Sequence, residues 1–369
     1  MLTNSTKPNT IGDRFLVIGG FALLLAGIVE GLGAQWDIQW HTVVGPDTFF
    51  TAPHLMLYIG IAAGGFVALG VVLRNTFAGP GRAAVTGRTV QVFGTFAAPV
   101  GFLIAGLGAS GQLLYGLSDL WWHDVYGFDA TLTSPPHIGM SLCSMITAVG
   151  SVVVFAALRR YRAGRIGLVV AVANVLSGMV TLVLAVLPFI GWTGFVLATM
   201  AVATMGLLLV AAVLRAPGWA ALTGLVYSVL LGLAWVFAPW ATAAYAASLG
   251  LSMRDFADNS VVELVLIAPW GVLLGALLLE LGLWAVRSRH AAPHRAVPAL
   301  GAVLAVVLTV SYAVQLGGAG IGPVIFVGSL PVGALVGWLA WRWGTGLRRL
   351  DATEHPPVAV RSDLVGQEA

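Results

Sequence analysis

Long apolar runs separated by short polar breaks organise this chain. Ten runs, at about 15–34, 53–73, 90–113, 136–158, 166–187, 194–214, 220–240, 261–285, 297–317 and 324–342, are each close to twenty residues. A helix of that length crosses a hydrocarbon core about 30 Å thick. Apolar positions within the runs are continuous rather than alternating, which disfavours a strand barrel. The pattern predicts an all-α fold, a polytopic transmembrane helical bundle of about ten spans. The runs are too numerous, and the first too long, for the N-terminus to act only as a cleavable leader.

Four segments follow: a tail over 1–14, a four-span unit over 15–165, a six-span scaffold over 166–342, and a polar, proline-containing tail over 343–369. No large soluble domain is expected on either side.

Composition agrees with the pattern. The chain has 369 residues, 59% hydrophobic and 9% charged, too apolar for a soluble domain. The net charge of +3 reflects topology. Arg74, Arg82 and Arg88 follow the second run, Arg159, Arg160, Arg162 and Arg165 the fourth, and Arg287, Arg289 and Arg295 the eighth. Lys7 and Arg14 precede the first run, and only Arg254 falls on the opposite side. The positive-inside rule then puts both termini in the cytoplasm of a multi-pass cell-membrane protein. The bilayer is the expected partner. No exposed basic stripe with interleaved aromatics points to nucleic acid. The lone cysteine, Cys143, lies mid-span and reads as a small packing residue.

The polar breaks carry the candidate chemistry. Between runs one and two stands WDIQWHTVVGPDTFFTAPH, and between runs three and four LWWHDVYGFDATLTSPPH. Asp37, Trp40, His41, Gly45 and Asp47 match Asp119, Trp122, His123, Gly127 and Asp129 at an offset of 82; Pro53 and His54 match Pro136 and His137 at 83. A repeated helical hairpin is the simplest account. Asp37 and His41 are four residues apart, as are Asp119 and His123, so each pair projects from one helix face. His54 and His137 follow prolines, with Thr51 and Ser134 as expected N-caps, so both open the next helix. Gly45 and Gly127 supply the bends.

One carboxylate and two imidazoles fill three positions on a transition metal and leave others open. The expected metal ligands are therefore Asp37, His41, His54, Asp119, His123 and His137, with Asp47 and Asp129 as supporting or further ligands. Four of the seven histidines fall in these segments. Glu30, one heptad before Asp37, reads as a proton relay, an outer-shell group or a helix-packing acid. Met56 and Met140, within a turn of His54 and His137, read mainly as packing, with a soft thioether contact to a bound metal as the alternative. Trp36, Trp40, Trp121 and Trp122 are expected as interface anchors or site walls. Asp255, Asp258 and Glu263 belong to an outer loop over 241–260 and the start of run eight, read as solvated or as a cover for the site. Glu280 lies too deep to join the clusters.

Written as Asp37-x3-His41-x12-His54 and Asp119-x3-His123-x13-His137, the two sets resemble the C subunit of the copper-containing membrane monooxygenases, the particulate methane and ammonia oxidisers. That family builds neighbouring metal sites from Asp-x3-His-x12-His and Asn-x3-His-x13-His. The resemblance covers about a third of the chain. It departs at Asp119, where the family has Asn, in the larger number of spans, and in the absence of a legible cupredoxin-like domain, which the family carries on a partner subunit. It implies copper as cofactor, O2 as oxidant, a small apolar substrate, and an electron donor or partner subunits.

Donor types alone leave iron or zinc open. They also leave open a membrane protein that binds, senses or transports copper, and a zinc-dependent membrane hydrolase with Asp47 or Asp129 as base. Transport is disfavoured because runs five to ten offer little polar path across the bilayer. No H-E-x-x-H, G-x-S-x-G or Walker sequence is present. A second copy of the chain is a further candidate partner.

Overall fold

The computed structural model describes residues 11–45, 48–78, 89–127, 132–254, 263–289 and 292–350. Its elements are α1 (Ile11–Val43), α2 (Ala52–Phe77), β1 (Thr89–Val92), β2 (Phe96–Pro99), α3 (Val100–Tyr126), α4 (Pro135–Ala157), α5 (Arg162–Ala185), α6 (Leu187–Leu214), α7 (Trp219–Ser248), α8 (Glu263–Ile267), α9 (Val272–Ser288), α10 (Pro293–Gln315) and α11 (Pro323–Leu347). Counting α8 and α9 as one broken span, ten helices among the described residues are long and apolar enough to cross a membrane. The protein is a polytopic helical bundle, as the hydropathy pattern predicts.

Two boundaries differ from the sequence reading in ways that matter. The third run begins not as helix but as a β-hairpin, β1 paired antiparallel with β2. Phe93 and Gly94 turn the chain with positive φ (52° and 66°), the backbone that tight hairpins need. Asn75 and Thr76 of α2 bond to Ala97, so the hairpin is tied to the neighbouring helix. Helix α3 therefore starts at Val100 and runs to Tyr126, carrying Asp119 and His123 on continuous helix. Likewise α7 extends to Ser248, so the first eight residues of the loop expected over 241–260 are helical.

The eighth span is interrupted at Pro269, which cannot donate to a helix ladder. Open backbone groups inside a membrane must find other partners. Gln315 supplies them: its amide donates to Leu266 O (2.7 Å) and Ala268 O (2.8 Å), and its oxygen accepts from Trp270 N (3.0 Å). Tyr312 adds a bond to Ile267 O at 2.7 Å.

Helices α1 to α4 form two antiparallel hairpins packed on each other, with α5 laid against α1 and α4 and α7 against α1. Glycines set the closest approaches. A Cβ at Gly60 of α2 would lie 2.5 Å from Glu30 N on α1, and one at Gly150 of α4 would lie 2.5 Å from Ala105 N on α3. Cys143 packs against Gly111. At the end of the bundle where α1 begins, buried Asp13 accepts from Arg160 (3.0 Å) and Tyr161 (3.0 Å), pinning that end to the α4–α5 turn. Glu280 is placed at this end too, where it accepts from Ala220 N (2.9 Å) at the start of α7.

Candidate metal centre

At 1.5 Å per residue, the 33 residues of α1 span about 50 Å, longer than a hydrocarbon core. Its last two turns carry Asp37 and His41, one turn apart on the same face. Val44 and Gly45 close the helix, Gly45 with φ 142°. Pro53 opens α2 and brings His54 back to the same end. His54 Nε2 lies 3.1 Å from Asp37 Oδ1, and His41 Nε2 lies 3.7 Å from the same oxygen.

The second hairpin repeats the arrangement. Gly127 caps α3 with φ 95°, and His123 Nε2 and His137 Nε2 each stand 3.3 Å from Asp119 Oδ1. In both trios the donor atoms lie within 4.8 Å of one another. The imidazole pairs are set alike, with centroids 5.9 Å and 5.8 Å apart at 44° and 45°. All six predicted ligand residues are thus brought together in the two expected groups.

Hydrogen bonds on the far side of the rings determine which nitrogen faces the carboxylate. His123 Nδ1 lies 2.8 Å from Gly127 O, and His54 Nδ1 lies 3.1 Å from Thr48 O. A carbonyl oxygen only accepts, so each Nδ1 carries the proton and, in the neutral ring, Nε2 presents its lone pair. That lone pair then faces Asp37 Oδ1 or Asp119 Oδ1, which is also electron-rich. Both oxygens are buried and accept no well-formed hydrogen bond. Such a contact is repulsive unless a proton or a cation lies between. An ion with bonds of about 2.0–2.2 Å sets its donors about 3–3.5 Å apart, close to the separations here. The residues fit a transition-metal ion.

The two N-caps behave differently. Ser134 accepts from His137 N (3.3 Å), the expected cap. Thr51 makes no side-chain cap on α2; its hydroxyl reaches Thr48 O (3.1 Å) and His54 Nδ1 (3.2 Å) and so holds the ring instead. The tryptophans also divide. Trp40 is buried, its ring 4.9 Å from Tyr245 of α7, and Trp36 meets Phe237 and Tyr245 edge-on, so both serve a helix contact rather than a membrane anchor. Trp121 is exposed and Trp122 lies tilted against Tyr126, the ring centroids 4.3 Å apart. Arg254 closes over the end of α1, donating to Val43 O (2.8 Å) and Thr42 O (3.2 Å). Asp47, Asp129, Asp255 and Asp258 lie outside the described residues, as does the side chain of Glu263.

Both trios open on one cavity of about 320 Å³, lined by Asp37, His41, His54, Asp119 and His137. Two turns deeper, Glu30 Oε1 accepts from Gln112 Nε2 (2.6 Å) and Ser144 Oγ (2.5 Å), and Thr147 donates to Gln112 Oε1 (3.1 Å). Glu30 and Gln112 are separated by the same 82 residues as Asp37 and Asp119, a signal present in the sequence that singled out only Glu30. Met140 also lines the cavity. So do Asn174, Ser177 and Thr181 of α5, so the fifth span adds polar groups to the cavity of the four-span unit. Compared with known proteins, the chain matches no family model, no curated protein and no solved structure.

Proposed function

We propose that this protein is a copper-dependent membrane monooxygenase, or the metal-holding subunit of one, oxidising a small apolar substrate with O2. The observation that carries the reading is the facing of imidazole Nε2 atoms and a buried carboxylate oxygen at 3.1–3.3 Å, with Nδ1 committed elsewhere. Two such trios on one cavity, with matched hairpin geometry, support both the duplication and a pair of ions serving a common substrate space. The choice of copper rests on the resemblance of the two ligand spacings to the copper membrane monooxygenases.

Each part of the chain then has a task. Asp37, His41 and His54 hold one ion, and Asp119, His123 and His137 the other. Thr51 and the carbonyls of Thr48 and Gly127 orient the rings. The apolar walls of the cavity, Leu57, Ile61 and Leu132 among them, admit an apolar substrate and exclude bulk water. Bound copper supplies the binding and reduction of O2. In the overall reaction one oxygen atom enters a C–H bond, and the other leaves as water with two protons and two electrons from an external reductant. Glu30, two turns from Asp37 and joined to Gln112 and Ser144, is the ionisable group placed to move those protons. The arginine distribution supports an extracytoplasmic position for the trios in a cell membrane, with both termini cytoplasmic.

Metal analysis of the purified protein followed by O2 uptake with a reductant and a short alkane tests this. Two copper equivalents and substrate-stimulated uptake are expected. Zinc in place of copper, or bound copper with no O2 consumption, refutes the oxygenase; the latter favours binding or sensing.

A further inference from the structure

The cavity does not end at the trios. It continues along α1 past Glu30 to Gly27, and along α5 past Thr181 and Ser177 to Asn174. From Asp37 to Gly27 is about 15 Å of helix rise. Positions 174, 177 and 181 share one face of α5. A Cβ at Gly27 would lie 3.2 Å from Asn174 Nδ2, which places that carboxamide about one turn below Glu30. Both hydrogen bonds to Glu30 fall on Oε1, leaving Oε2 for an occupant of the cavity. Among the described residues, the side chains of Asn174, Ser177 and Thr181 make no hydrogen bond, whereas Thr147 and Ser151 on α4 donate back to their own helix. Polar groups inside a membrane are costly unless something pairs with them. Three on one face, opposite a carboxyl group and lining a space, describe a binding surface. The cavity is at the small end of the range for small-molecule sites, roughly 300–1,000 Å³.

We infer that this inner arm is a head-group subsite for a small amphiphile carrying one hydroxyl or carboxamide. The head group lies between Glu30 and Asn174, and the apolar body points toward the trios. Hydroxyls and carboxamides both donate and accept, matching the Asn174 amide and the Ser177 and Thr181 hydroxyls. Seven residues separate Glu30 from Asp37, so a tail of about 10 Å reaches the metal end. The inference names the substrate class of the proposed oxygenase and rests on that reading only for what happens at the tail.

Binding is tested on the full chain in lipid nanodiscs by following the unfolding midpoint with 1-hexanol, hexanamide and n-hexane. The two polar ligands raise the midpoint saturably in the wild type, and hexane, which lacks a head group, raises it less. Asn174→Leu weakens hexanol about three- to tenfold, the value of one neutral hydrogen bond, and raises the ligand-free midpoint by removing an unpartnered amide. Thr181→Val, close to isosteric, weakens hexanol in the same direction and covers the case in which Asn174→Leu does not fold. Equal response to hexane and hexanol, or hexanol affinity unchanged in the folded variants, overturns the subsite. Metal content of the same samples is scored separately. Two metal equivalents without hexanol discrimination leave the metal reading standing, and discrimination without metal leaves the subsite standing.

Discussion

Thr51 and Ser134 occupy matching positions before the two α2- and α4-borne histidines but do different work, and this gives a sharp test of how the rings are held. Thr51→Val removes the hydroxyl that stands 3.2 Å from His54 Nδ1 and 3.1 Å from Thr48 O, at nearly constant volume. The Thr48 carbonyl still lies 3.1 Å from His54 Nδ1, so orientation is weakened rather than lost. Loss of an outer hydrogen bond to a ligand imidazole typically costs about 10–100-fold in metal affinity. With one of two partners retained, about tenfold is expected, or about 1.4 kcal/mol. Ser134→Ala instead removes a cap on His137 N and leaves the His137 ring contacts in place. It should cost about 1 kcal/mol of stability with metal affinity at the second trio nearly unchanged. The assay is competition of purified protein against a graded chelator series, with metal counted by mass spectrometry and unfolding followed on the same samples. In Thr51→Val one equivalent leaves at about tenfold lower chelator strength and the other does not move. If both equivalents hold at wild-type strength, or both leave together, the assignment of Thr51 as the ring-holding group is wrong.

Three further outcomes are expected. His41→Ala and His123→Ala should each remove about one metal equivalent while circular dichroism stays unchanged, because the helices do not depend on the ligands; unchanged metal in both variants would defeat the site. Gly60→Ala puts a methyl 2.5 Å from Glu30 N and must force α1 from α2; it should cost about 1–3 kcal/mol by thermal unfolding and release the first equivalent before the second. Arg160→Ala removes the cationic partner of buried Asp13, leaving the Tyr161 hydroxyl bond, and should destabilise the fold by about 3 kcal/mol, with the metal count in the surviving folded fraction unaltered.

Much of the site was legible before any coordinates. The i, i+4 spacing of Asp37 with His41 and of Asp119 with His123 dictates a shared helix face, and proline after a short polar turn dictates that His54 and His137 return to the same end. Trp36 and Trp40 misled because hydropathy alone does not distinguish an aromatic at a lipid headgroup from one between helices. Their partners, Phe237 and Tyr245, lie two hundred residues away in the chain. The start of α3 was missed because Thr89–Pro99 is uncharged and runs straight into the span, and only the turn at Phe93 and Gly94 separates hairpin from helix.

Local order alone therefore determined the ten crossings and the two Asp/His2 groups, since hydropathy, helical period and proline placement act within a few residues of the chain. The tertiary structure decided that both groups open on one cavity, that Glu30 meets Gln112, and that α5 turns Asn174, Ser177 and Thr181 toward them. Those pairings depend on how each helix is rotated about its axis. Close backbone contacts such as Gly60 on Glu30 and Gly150 on Ala105 set that rotation, and no pattern within a single span encodes it.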